Sequence, residues 1–214
     1  MLYDFSKTKE ADRVREAAHK GYNAFLNSLD EYTRVEWVDG EAEFMSPVAL
    51  IHLRIGQFVL FLIHEYLERN PIGEVLGDGF QMKIGPKSGR VPDVFFVSKE
   101  HTDRLKPTYL DGPADLVVEV VSPDSVRRDR EQKFREYALG GIPEYWIIDT
   151  QRGVCEFYIL DGDAYRLAVI NETGLFESAQ LPGLQINPDW FTRDHLPTVR
   201  SILVEAGIRG DLEG

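Results

Sequence analysis

Residues 90–98 read RVPDVFFVS, residues 114–125 read ADLVVEVVSPDS, and residues 141–149 read GIPEYWIID. Each contains an apolar run of strand length. Between the last two lies RDREQKFREYALG (128–140), where Phe134, Tyr137 and Ala138 recur at helical spacing and Gly140-Gly141 supplies a stop. Strand, helix and strand within about thirty residues predict a right-handed crossover between parallel strands. The run DLVVEVV is almost unbroken, the mark of a strand covered on both faces. Two carboxylates, Asp93 and Glu119, interrupt these runs. A charge inside a buried strand costs several kcal/mol or so unless a metal or a partner compensates it, so both are candidates for a site.

Outward from this stretch, residues 8–29 predict one amphipathic helix through Ala11, Val14, Ala18, Tyr22, Phe25 and Leu26. Residues 34–44 predict a hairpin turning at Asp39-Gly40, and Ser46-Pro47 opens a long helix that stops at Asn70-Pro71. GEVLG and FQMKIG predict a strand pair, and the polar stretch 98–112 a loop or short helix. VCEFYIL and YRLAVI predict an edge hairpin around Asp161-Gly162, before a weakly amphipathic tail. The expected architecture is α/β, with an α+β-like mixed sheet flanked by helices. The chain reads as one domain over 1–214: an N-terminal helical extension (1–30), a core (31–160), then an edge hairpin and tail (161–214).

Hydrophobic content of 43% and charged content of 28% exclude a disordered chain. The start carries no secretory pattern, and the most apolar run, 58–63, is too short to span a bilayer, so no membrane partner is expected and the cytoplasm is the expected compartment. The lone Cys155 has no internal disulfide partner. A net charge of −12 opposes long-range, non-specific DNA binding, yet a metal site or local basic patch can reverse that field for an enzyme. There is no Walker loop, dinucleotide fingerprint, HExxH, CxxC or GxSxG.

Asp93 follows Pro92, so it is either a turn residue or a ligand sharing a face with Val91, Phe95 and Val97. Glu119, alone among valines, is either paired with an arginine or functional. Lys133 either snorkels along Tyr137 or leans inward toward the carboxylates, with Asp129 one turn earlier to orient it. Arg127, Arg128, Arg130, Gln132, Lys133 and Arg135 make this the most basic segment, either a solvated face or a phosphate contact. Glu36 on the hairpin and His52 on the long helix are weaker candidates, the first expected to face solvent, the second to be scaffold. Tyr137 reads as a core aromatic with a possible supporting role.

Pro-Asp on one strand, Glu on a later one and Lys on the next helix resemble the PD-(D/E)XK nuclease superfamily. The closer resemblance is to the bacterial Uma-two family of restriction-endonuclease-like proteins. It rests on VPDVFFVS, DLVVEVVSPDS, Asp129…Lys133…Tyr137 and GIPEYWIID, with RVEWVDGEAEFMSP and His52 upstream. It spans roughly residues 32–160. The resemblance implies a restriction-endonuclease-like core and a metal-dependent endonuclease, acting on DNA ahead of RNA. It implies Asp93 and Glu119 as ligands of Mg²⁺ or Mn²⁺, the Val120 carbonyl as a third, and Lys133 as the catalytic lysine, with Glu36, His52, Asp129 and Tyr137 as possible support. Two residues after Glu119 stands Val121 where the superfamily has lysine, so the role passes to Lys133 on the helix. The alternative expectation is an inactive nuclease-fold binding or assembly module. A homodimer is expected on no ground beyond the commonness of cyclic dimers.

Overall fold

The computed structural model describes residues 5–30, 33–45, 48–77, 79–122, 127–192 and 195–205. The expected first helix is two, α1 (Lys9–His19) and α2 (Tyr22–Ser28), because Gly21 between them takes a φ of 110°. The hairpin forms as patterned. β1 (Val35–Val38) and β2 (Glu41–Phe44) flank Asp39 and Gly40, both at positive φ, as the right-handed twist of a hairpin favours. The long helix is α3 (Leu50–Arg69); Ser46 and Pro47, expected to open it, lie outside the described residues.

The expected strand pair is a correction. Its strands, β3 (Gly73–Gly77) and β4 (Gln81–Gly85), enter different sheets. The run 90–98 is likewise split: Arg90 ends β5 (Ser88–Arg90) and the rest forms β6 (Val94–Ser98), with Pro92, which has no N–H to donate to a ladder, between them. A 3₁₀ turn (Lys99–Arg104), β7 (Tyr109–Asp111) and β8 (Leu116–Val120) follow. Pro123, Asp124 and Ser125, which lead into the next helix in sequence, lie outside the described residues. That helix begins as a π-helical turn, Arg128–Gln132, and continues as α4 (Lys133–Leu139). β9 (Glu144–Asp149), β10 (Val154–Asp161), β11 (Ala164–Leu167), β12 (Phe176–Glu177), β13 (Gln185–Ile186) and α5 (Val199–Glu205) complete the chain.

Where one mixed sheet was expected there are two larger ones. A six-stranded mixed sheet runs β11-β10-β9-β8-β6-β3, and a five-stranded sheet runs β2-β1-β5-β4-β7. β8 and β9 are parallel, as a crossover through α4 requires, and β11 lies at the edge. Strand alternation sorts β8 onto two faces. Leu116, Val118 and Val120 join Ile55, Val59, Leu62 and Ile63 of α3, together with Phe176, Leu184, Trp190 and Ile202 from the C-terminal stretch. Val117 and Val121 face the other way, with Tyr137 of α4, Tyr145 and Ile147. Glu119 therefore projects toward α4. The C-terminal stretch, read as a tail, is a wall of the core. α3 has the length and apolarity to cross a bilayer, but its buried row packs on the sheet as a core helix does. A third cluster docks α1 and α2 on the smaller sheet through Val14, Ala18, Phe25, Val35 and Trp37.

Candidate active site

The antiparallel register of β6 and β8 ends with Val94 paired to Val118, which brings Asp93, just before β6, beside the Glu119-Val120 end of β8. The Asp93 carboxylate is held at both oxygens. Oδ1 lies 2.8 Å from His52 Nε2 on α3, and Oδ2 accepts the Val120 N–H at 2.7 Å. In an extended strand a residue's N–H and C=O lie on the same edge, so the Val120 carbonyl shares the edge that Asp93 faces.

Glu119 is 2% exposed. Its Oε1 accepts from Lys133 Nζ at 2.9 Å and from the Tyr137 hydroxyl at 2.6 Å. Asp129, Lys133 and Tyr137 are four residues apart and so share one helix face. The π-helical turn that carries Asp129 is a form common at functional sites, and the Tyr145 hydroxyl donates to its Asp129 carbonyl at 3.1 Å. Lys133, 1% exposed, is neither a snorkelling residue nor part of a basic surface. Its ammonium lies 2.9 Å from Glu119, 3.2 Å from Glu36 Oε1 and 3.6 Å from Asp129 Oδ1. That Asp129 oxygen is buried and has no hydrogen-bond partner among the described residues.

Glu36, expected to face solvent, is 1% exposed. Its Oε1 also accepts the Val91 N–H at 3.1 Å, and its Oε2 accepts from Arg90 at 2.9 Å. Arg90 was not singled out from sequence, nor was Glu136. Fully buried Arg90 grips Glu136 of α4 through two nitrogens, at 2.7 and 2.8 Å, and Ser88 Oγ donates to the same carboxylate. This clamp ties α4 to β5 and β1 and so sets where Lys133 sits. Elsewhere in the basic segment, Arg130 is engaged by Glu156 and Asp149, while Arg127 remains largely exposed.

The charges do not balance locally. Burial pushes the Glu119 carboxyl up to about 8; Lys133 opposes this, but Asp93, Asp129 and Glu36 add to it. Burial also works against Glu36, yet Lys133, Arg90 and the Val91 N–H bring its carboxyl down to about 2. Lys133 loses solvation too, but Glu119, Glu36 and Asp129 hold its ammonium well above the ordinary lysine range. One ammonium thus serves several carboxylates, and Glu119 takes the strain. Among the described residues no three His, Cys, Asp or Glu side chains are arranged to hold an ion. A divalent ion would rest on Asp93, Glu119, the Val120 carbonyl and water, a hard-oxygen set of the kind Mg²⁺ accepts. Surplus negative charge at paired carboxylates and an unsatisfied oxygen at Asp129 fit such an ion.

The profile of the Uma2 family, described as "Putative restriction endonuclease", matches residues 22–189. The chain belongs to the Uma2 family. The match extends beyond 32–160 at both ends, taking in α2 and the first part of the C-terminal wall, Phe176 and Leu184. A comparison with curated proteins returned no match. Among solved structures, the chain is similar to a crystal structure from Anabaena variabilis ATCC 29413, titled a putative nuclease belonging to DUF820. The TM-score is 0.66 at 15% identity, over 80% of this chain and 97% of that one. The shared fold is the restriction-endonuclease-like one.

Proposed function

We propose that this Uma2 protein is a metal-dependent endonuclease that hydrolyses nucleic-acid phosphodiester bonds, with DNA preferred over RNA. The observation that carries the reading is Lys133 seated 2.9 Å from Glu119, with the Asp93 carboxylate 2.7 Å from the backbone N–H of the next residue, Val120. Asp93, Glu119 and the Val120 carbonyl would hold Mg²⁺ or Mn²⁺. Such an ion polarises the phosphate and lowers the pKa of a bound water. His52 and the Val120 N–H fix the Asp93 carboxylate, so it is already oriented before substrate arrives. Tyr137 and Lys133 orient Glu119 in the same way. Lys133, held 2.9 Å from Glu119, would stabilise the charge that develops on the phosphate.

A second reading, a nuclease-fold module without catalysis, draws on the same lysine: its amine is enclosed by carboxylates and 1% exposed. One experiment separates the two. Purified protein is incubated with plasmid, single-stranded DNA and RNA, in Mg²⁺ or Mn²⁺ against chelator, beside Asp93→Ala. The nuclease reading expects cleavage in metal, none in chelator and none by the variant. Equal cleavage by variant and wild type assigns the activity to a contaminant and overturns it.

A further inference from the structure

The outer side of α3 carries more apolar surface than the solvent face of a core helix needs. Leu50, Ile51, Leu53 and Phe61 are each between 44 and 61% exposed. A groove of about 390 Å³ lies beside them, lined by Ile51, Phe58 and Phe61 of α3 and by Leu196 and Val199, so the two ends of the patch are joined. Joined apolar surface of this kind marks an interaction site, whereas scattered single residues do not. Charge is sorted along the same face. Arg54 stands toward its N-terminal end, Glu65 and Glu68 toward its C-terminal end, and all three are exposed. Arg54 has no ion-pair partner among the described residues, and Glu68 comes only within 3.9 Å of His64.

The face reads the same in both directions from Phe61. Four residues away on either side stand Gln57 and Glu65, and seven away stand Arg54 and Glu68. Eleven away are Leu50 and, just past the end of the helix, Ile72, both exposed apolar residues. At 3.6 residues per turn, Leu50, Arg54, Gln57, Phe61, Glu65 and Glu68 fall within about 80° of arc. A two-fold axis at Phe61 therefore matches the face to itself, as an isologous contact requires. We propose that this protein forms a homodimer in which α3 packs antiparallel on α3 of a second copy, about a two-fold axis at Phe61. Phe61 meets Phe61, and Arg54 meets Glu68 of the second copy, with Glu65 one turn away. Parallel pairing would set Arg54 against Arg54 and Glu68 against Glu68, which like charge opposes. The acidic end of the face also makes an anionic lipid surface a poor occupant. From Leu50 to Glu68 the stripe is about 27 Å long and, with the groove, smaller than the ~800 Å² a side of a tight complex, so the dimer is weak, with a Kd in the micromolar range. His52 lies half a turn round from Phe61 and is bonded to Asp93, so the pairing leaves the carboxylate site open and stands apart from the nuclease reading.

The test is analytical ultracentrifugation of the whole chain across the micromolar range. Wild type is expected to rise with concentration toward twice the 24.4 kDa of one chain. Phe61→Glu, which puts two carboxylates at the axis, is expected to stay monomeric throughout. Arg54→Glu and Glu68→Arg are each expected to raise the dimer Kd about tenfold, and the two together to restore it, because the exchanged charges face each other again. All three positions are exposed, and circular dichroism checks that each variant folds. Register is read independently: Phe61→Cys is expected to be joined to its own copy by a short bis-maleimide, while wild type, whose lone cysteine is Cys155, is not. If a charge variant fails to fold, this crosslink decides. Wild type that remains monomeric across the range overturns the proposal and leaves the face to a different partner. A dimer that survives Phe61→Glu, or a charge exchange that recovers nothing, overturns it as well.

Discussion

At Lys133 a single buried ammonium is shared by Glu119, Glu36 and Asp129. Removing one partner of a buried ion pair leaves an uncompensated charge, so Lys133→Met is expected to cost about 3–5 kcal/mol in urea unfolding and to abolish cleavage. Adding Glu119→Gln should recover part of that stability, with a coupling of roughly 1–3 kcal/mol and no return of activity. Strict additivity would show that the two side chains do not share the site. The pH dependence has a definite sign. Glu119 sits at about 8 when folded against an ordinary 4.5, so between those values the unfolded chain loses a proton that the folded one keeps. Metal-free stability therefore falls as pH rises from about 4.5 to about 8. Glu36 works the other way, its contribution complete above about 4.5 and lost as pH drops toward 2. Urea midpoints from pH 5 to 9 should decline in wild type and flatten in Glu119→Gln; an unchanged slope in the variant would move the cause elsewhere.

The next scale is α4 and what aims it. Glu136 does not touch Glu119 or Lys133 itself, yet its bidentate bond with Arg90 holds the helix against β5, and Arg90 also binds Glu36, which lies 3.2 Å from Lys133. Glu136→Gln keeps the shape and weakens that clamp. It is expected to lower kcat about tenfold with KM nearly unchanged, at a stability cost of about 1–3 kcal/mol. Loss of stability with full kcat would make the clamp purely structural. Much of this part was legible beforehand. An unbroken valine run marked β8 as doubly covered, a glutamate inside it had to be compensated, and spacing by four placed Asp129, Lys133 and Tyr137 on one face. Arg90 and Glu136 were not legible, because a charged residue at a strand end or on a helix reads as solvated until tertiary packing buries it. Glu36 misled for the same reason: alternation put it opposite Val35 and Trp37, but α4 and β5 cover that face too. The split of β3 from β4 was hidden as well, since two adjacent strand-like runs give no sign of which sheet each will enter.

Over the whole molecule the net charge is −12, and nucleic acid carries the same sign. Affinity then has to come from the local site rather than from a broad basic face. The segment that looked most basic supplies little of one: Lys133 is enclosed, Arg130 is tied to Glu156 and Asp149, and Arg127 and Arg135 remain exposed. Two or three phosphate contacts are what such a surface can make. Each contact on single strands lowers the log of affinity by about 0.7 per tenfold rise in salt, so the slope should be near −2 rather than the −6 or steeper of an extended basic groove. A divalent cation at Asp93 and Glu119 would neutralise the carboxylates, so its removal should weaken binding more than any single arginine substitution does. Fluorescence anisotropy of a labelled oligonucleotide across KCl concentrations, with Ca²⁺ and then with chelator, measures both quantities. A steep slope that persists in chelator would mean that a positive surface away from Asp93 and Glu119 captures the strand.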